Sequence, residues 1–154
     1  QLFHGDLESQ LAGSLKRYGI KASQLGLELT ESVLLDERAG DMGPRLQLLR
    51  EQGFAIAIDD FGTGYSSFSY LQKFPIDYLK IDISFIRNMT LSDDGKNIVE
   101  SIINIAHLLN LKTIAEGVEK KLELEELNQL ENDYIQGYYF NPPMPEAEIE
   151  KIYR

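Results

Sequence analysis

Asp59 and Asp60 stand at the end of the apolar run Phe54-Ala-Ile-Ala-Ile58 and directly before Phe61-Gly-Thr-Gly-Tyr-Ser-Ser67. Two adjacent carboxylates on the rim of a core repel each other, and keeping both ionised is costly unless a positive charge lies between them. A divalent ion is the simplest counter-charge, and hard oxygen ligands of this kind suit Mg²⁺ or Mn²⁺. Two such ions a few ångströms apart clamp a phosphodiester for in-line attack by water. An Asp-Asp pair is more commonly a helix cap or a solvated turn. The apolar strand before it and the glycine loop after it tip the reading to metal binding.

Other polar groups stand at comparable places. In Tyr78-Leu-Lys-Ile-Asp82, side-chain alternation puts Lys80 and Asp82 on one face, opposite Leu79 and Ile81. A lysine on an inward face needs a carboxylate partner or a catalytic role; a lysine facing solvent on an edge strand needs neither, and spacing leaves both open. Glu116-Gly-Val-Glu119 carries two carboxylates across a strand-to-helix turn, a pattern shared with ordinary acid-rich helix starts. Glu28 and Glu31 bracket the end of another apolar alternation, and Gln136-Gly137 is weak by itself. His4 and His107 have no partner at ligand spacing and read as structural, and the Glu cluster from 123 to 131 reads as a solvated helix face.

Elements must position these groups. Leu7, Leu11 and Leu15 predict a helix over Asp6 to Tyr18, stopped at Gly19. Alternation predicts a strand from Gln24 to Glu31, then a helix from about Asp36 to Gln52 that ends at Gly53. The strand 54 to 59 follows, then a short helix closed by Phe74-Pro75 and a strand from Asp77 to Asp82. Asp94 to Asn110 is a strongly amphipathic helix with Ile98, Ile102, Ile103, Ile105, Ala106 and Leu109 on its apolar face. A strand from Leu111 to Glu116, a helix from Lys120 to Leu130, a strand from Tyr134 to Tyr139 and a helix from Glu146 to Tyr153 complete the alternation.

Repeated βα units imply a parallel sheet with helical crossovers. Glu28, Asp59, Asp82 and Glu116 end different strands, and residues from many strand ends converge on one point in a closed barrel. The expectation is an α/β fold of the (β/α)8 TIM-like barrel type, with about five βα units in the chain and the N-terminal ones lying outside it.

Bulk properties bound the partners. The formal charge of -10, from 25 acidic and 15 basic residues, argues against a DNA- or RNA-binding surface, which needs a basic stripe. An acidic site still takes a phosphate substrate if metal ions reverse its local sign. There are no cysteines, which excludes disulfides and thiol ligands. No apolar run approaches the ~20 residues of a membrane span, and no secretory pattern opens the chain, so a cytoplasmic unit is expected, within a parent that membrane segments elsewhere could anchor.

Taken together, Glu28-Leu-Thr-Glu31, Asp59-Asp-Phe-Gly-Thr-Gly-Tyr-Ser-Ser67, Lys80-Ile-Asp82, Ala115-Glu-Gly-Val-Glu119 and Gln136-Gly137 resemble the EAL-domain family of bacterial phosphodiesterases specific for cyclic di-GMP. The motifs run in the family's order over nearly the whole chain, which makes the set specific where no single motif is. The resemblance implies hydrolysis of cyclic di-GMP to linear pGpG with two Mg²⁺ or Mn²⁺ ions. By the same resemblance Glu28, Asp59, Asp60 and Glu116 are metal ligands, with Asp59 bridging both ions. Lys80 matches the lysine that holds the attacking water, with Glu116 and Glu119 beside it as catalytic carboxylates. Gln136 and Asp82 are substrate- or water-contacting. Glu31 matches the anchor of the loop Phe61 to Ser67, a segment that in the family couples homodimerisation to activity.

The family's Glu-Ala-Leu signature and the asparagine of its Asn-x-Ser strand are absent from this sequence. The expectation is therefore a single EAL-type domain over 1–154 that is the later part of the barrel, inactive alone, with sensor or cyclase domains upstream in the parent. The alternative is a domain that binds cyclic di-GMP or a protein partner for regulation without turnover.

Overall fold

A computed structural model describes residues 7–34, 42–62 and 68–152. Its strands are β1 (Gly26–Thr30), β2 (Ala55–Phe61), β3 (Tyr78–Ile81), β4 (Lys112–Ala115) and β5 (Tyr134–Ile135). They form one 5-stranded sheet in the order β1-β2-β3-β4-β5, with every neighbouring pair parallel. The helices are α1 (Leu7–Tyr18), α2 (Glu31–Leu34), α3 (Met42–Glu51), α4 (Phe68–Lys73), α5 (Ile83–Met89), α6 (Asp93–Leu108), α7 (Lys121–Gln129) and α8 (Glu146–Ile152). Sequential parallel strands with helical crossovers are the arrangement of consecutive units of a (β/α)8 barrel, as the alternation predicts.

Burial follows from that topology. Ile56, Ala57 and Ile58 are all buried although they alternate in direction, the signature of a strand covered on both faces. Leu79 and Ile81 of β3, Ile86 of α5, Val99 and Ile103 of α6 and Leu127 of α7 join the same core. Helix α6 starts where Ser92 accepts the Gly95 N–H at 3.1 Å, and Asp93 and Asp94 in its first turn favour the positive helix end. The lower ends of the strands are held by a repeated device. Asp77, just before β3, accepts the Ile56 N–H at 3.0 Å, and Asp133, just before β5, accepts the Thr113 N–H at 3.0 Å.

Several expectations change. Glu31 opens α2 rather than ending β1. The expected start of α3 near Asp36 lies outside the described residues, as do Asp6 and Ser67. Ile98 is exposed, and Gly95 and Val99 take the buried places on α6 instead. Helix α5 was not anticipated; Asp82 caps it by accepting from the Ser84 N–H, a local Asp-x-Ser signal that the strand pattern masked. β5 stops at Ile135, after which the chain enters a turn closed by the Phe140 N–H donating to the Gly137 carbonyl at 3.2 Å and packed on the segment after β4: a Cβ at Gly137 would lie 2.1 Å from the Val118 carbonyl oxygen, and the Tyr139 N–H is donated to that same oxygen at 2.9 Å.

Candidate active site

Lys80 is buried, its side chain 6% exposed. It survives there because β1, β2 and the residue that follows β4 each bring a carboxylate beside it. Its Nζ lies 2.8 Å from Glu28 of β1, 2.7 Å from Asp59 of β2 and 2.9 Å from Glu116. The Glu116 N–H, donated to the Ile81 carbonyl at 3.1 Å, extends the β4 edge far enough to place that carboxylate. An ammonium has three protons, and here three carboxylates stand around it. Burial opposes the charge on Lys80, but Asp59, Glu28 and Glu116 overcome it and hold its pKa above the ordinary lysine value. Burial raises the Glu116 pKa, against the attraction of Lys80, with Asp59 and Glu28 adding repulsion.

Asp60 reaches this place through a bulge. A regular strand sends adjacent side chains to opposite faces. Between Ile58↔Leu79 and Phe61↔Ile81 the β2–β3 register shifts, and Asp60 sits in the left-handed region at φ 53°, one of the few non-glycine types that tolerates it. Carboxylate oxygens of Asp59, Asp60 and Glu116 consequently lie within 4.8 Å of one another. Asp59 Oδ1 is buried and has no hydrogen-bond donor, its approach to Lys80 being an ion pair without hydrogen-bond alignment. Three converging carboxylates, all hard oxygen donors, fit a hard divalent cation. Glu28 lies outside that trio and is joined to it through Lys80, its own side chain being 53% exposed.

The remaining candidates sit around this centre. Glu31 is buried and accepts the Gly62 N–H at 3.0 Å; Gly62 has φ 95°, and a Cβ there would come within 2.6 Å of the Phe85 ring. Of the loop it was expected to anchor, Thr63 to Ser67 lies outside the described residues. Asp82 is engaged as the α5 cap and is not an ion-pair partner of Lys80. Glu119 pairs with Arg87 at 3.2 Å. Gln136 donates its N–H to Ala115 O at 2.8 Å and accepts from the Val118 N–H at 3.1 Å, which sets it across from Glu116. Glu116, Glu119 and Gln136 line one cleft of about 750 Å³, with Arg87, Tyr138 and Pro142.

Glu123 corrects the reading of the 123–131 acids as a solvated face. It is 1% exposed and accepts the N–H groups of Glu119 and Lys120, each at 2.9 Å. It therefore fixes the turn that carries Glu116 and Glu119. Sequence reasoning missed it because a capping glutamate and a surface glutamate have the same local signature until burial is known. Arg87 was missed with its helix. His107 is bound to Asp133 at 2.8 Å, a structural role as expected, and His4 lies outside the described residues. Among the described residues no helix is long and apolar enough to cross a membrane.

Comparison with known proteins places this geometry in context. The sequence model of a family described as "EAL domain" matches residues 1–143. "Cyclic di-GMP phosphodiesterase NbdA" of Pseudomonas aeruginosa is 40% identical over 153 residues, which cover 99% of this chain and 19% of that protein. Among solved structures, "PaMucR Phosphodiesterase, c-di-GMP complex" matches with 38% identity and a TM-score of 0.89, covering 96% of this chain and 60% of that one. The manganese/cy-diGMP complex of Klebsiella pneumoniae BlrP1 matches with 33% identity and a TM-score of 0.80, covering 89% of this chain and 35% of that one. The chain spans about a fifth of the length of the curated relatives it matches.

Proposed function

Because the chain belongs to the EAL domain family, we propose that residues 1–154 are part of the catalytic domain of a cyclic di-GMP phosphodiesterase, which opens the cyclic dinucleotide to linear pGpG. The observation that carries this reading is the buried Lys80 ringed by Glu28, Asp59 and Glu116, with Asp60 brought to the same point by the bulge. A binding-only pocket has no use for a buried ammonium placed among three carboxylates that also suit a cation.

Glu28, Asp59, Asp60 and Glu116 would hold Mg²⁺ or Mn²⁺, two per site, and these ions supply Lewis-acid activation of the phosphodiester and acidification of the attacking water. Lys80, charged at all physiological pH values, orients that water through its ammonium protons and stabilises negative charge on it. Asp59 and Glu116 keep Lys80 in place. Glu123 holds the turn on which Glu116 and Glu119 sit. Glu119 and Gln136 bind and orient the substrate in the cleft, Asp82 caps the helix that forms its side, and Glu31 fixes the start of the loop after Gly62. In the same reading two copies pair through the region Phe61 to Ser67, sensor or cyclase domains precede this one, and the domain works in the cytoplasm, where its nucleotide is made.

The test is Mn²⁺-dependent hydrolysis of cyclic di-GMP by the parent protein, followed by chromatography of pGpG. Turnover that Lys80→Met and Asp59→Asn each abolish is expected. A parent that binds cyclic di-GMP and never opens it would replace this reading with a regulatory one.

A further inference from the structure

The cleft beside Glu116 holds a cation that the reaction chemistry does not use. Among the described residues Arg87 is the only Lys, Arg or His lining it, in a chain of formal charge -10. Ile83 and Arg87 lie one turn apart on α5 and both face the cleft. Arg87 Nη2 donates to Glu119 Oε1 at 3.2 Å, and the two side chains are 55% and 42% exposed. An ion pair that open to water is weak, so each partner can exchange the other for a ligand at little cost. Glu119 is the more rigid of the two, since its backbone is pinned by the buried Glu123.

The pair presents a guanidinium fork and a carboxylate side by side. Guanine has the complementary edge: O6 and N7 accept, the pattern an arginine reads bidentately, while N1–H and the 2-amino group donate, the pattern a carboxylate accepts. Adenine in the same slot would turn its 6-amino donor towards the arginine, donor against donor. The cleft also offers flat and apolar surface, from Tyr138, Pro142, Met144 and Ile149, on which a purine can stack. We propose that Arg87, with Glu119 beside it, is the specificity-determining residue of the site and reads one guanine base of the substrate. This deepens the phosphodiesterase reading and rests on it.

The experiment uses the parent protein with Arg87→Gln and Arg87→Lys, measuring hydrolysis of cyclic di-GMP and its inhibition by cyclic di-AMP. Loss of one bidentate guanine contact should raise KM for cyclic di-GMP roughly 5- to 100-fold, while kcat stays within about twofold because no reacting atom is touched. Inhibition by cyclic di-AMP should be unchanged or stronger. Arg87→Lys keeps the charge but lacks the fork, so it should not restore discrimination. An unchanged KM overturns the proposal. So does equal weakening of both nucleotides, which would make Arg87 a general anchor for phosphate charge. If the wild-type parent neither binds nor hydrolyses cyclic di-GMP, the phosphodiesterase reading falls and this one with it; if it hydrolyses normally and Arg87→Gln matches it, only this one falls.

Discussion

Replacing Lys80 by methionine keeps an unbranched side chain as far as Cε and removes the ammonium whose charge three carboxylates share. In the folded protein Glu28, Asp59 and Glu116 lie 2.8, 2.7 and 2.9 Å from its Nζ. Removing one partner of a buried ion pair costs ~3–5 kcal/mol, because the other charges stay behind uncompensated. The lower end applies here. Glu28 is half exposed and can turn to water, and Glu116, whose pKa burial already raises, can take up a proton. A loss of about 3 kcal/mol corresponds to a fall of roughly 6–12 °C in Tm for a domain of this size. Calorimetry of the metal-free parent protein measures it directly. Excess Mn²⁺ should then stabilise Lys80→Met more than wild type, since binding to the folded state alone adds stability by mass action and the ion replaces the missing counter-charge. Because the folded-state pKa of Lys80 is raised, its contribution is complete below the ordinary lysine pKa and fades only as pH rises beyond it, so the difference should be flat from neutral pH up to that value and should shrink in acid, where the carboxylates around it take up protons. Equal unfolding temperatures for variant and wild type without metal would refute the counter-charge argument, whatever happened to activity.

Glu123→Ala should destabilise by about 2 kcal/mol, since it leaves two part-buried N–H groups without their acceptor at the low end of ~1–3 kcal/mol each; urea unfolding should show Glu123→Gln, which keeps an acceptor oxygen, losing less than half as much, and equal losses would contradict the clamp. At Asp133 burial favours the neutral acid, but Lys112, the Thr113 N–H and hydroxyl and His107 outweigh it and hold the carboxyl well below the usual range. Its stabilisation is therefore present above about pH 4 and lost as pH falls further, so the acid limb of stability against pH should be shallower in Asp133→Asn than in wild type; parallel limbs would exclude Asp133 as the source. Gly117→Ala places a Cβ 2.2 Å from Ile83 Cδ1 at a φ of 65°, a clash and a left-handed conformation that together should cost about 2–4 kcal/mol. Much of that cost should vanish in an Ile83→Ala background if the clash is its cause, as a double-mutant cycle would report.

The chain itself made much of this legible. The run Phe54 to Ile58, the glycines after Asp60 and the apolar stripe of the helix over 94–110 are local patterns, and local patterns give element type because side-chain periodicity is set by backbone geometry within a few residues. Of the carboxylates expected to converge from strand ends, Glu28, Asp59 and Glu116 meet at Lys80 while Asp82 caps α5, and alternation put Lys80 on one face of its strand. Sequence alone could not say whether that face was inward, because burial belongs to neighbours distant in the chain. Only the register of β1, β2 and β3 brings Glu28 and Asp59 to the same ammonium. Only the bulge defeats alternation and turns Asp60 towards Asp59 and Glu116. The same holds for Glu123 and Glu125, which read identically in a helical acidic run; packing of α7 buries the first and leaves the second paired with Lys121 at the surface. Residue types and their spacing thus determined which chemistry was available, and the pairing and packing of distant segments decided which of those residues meet.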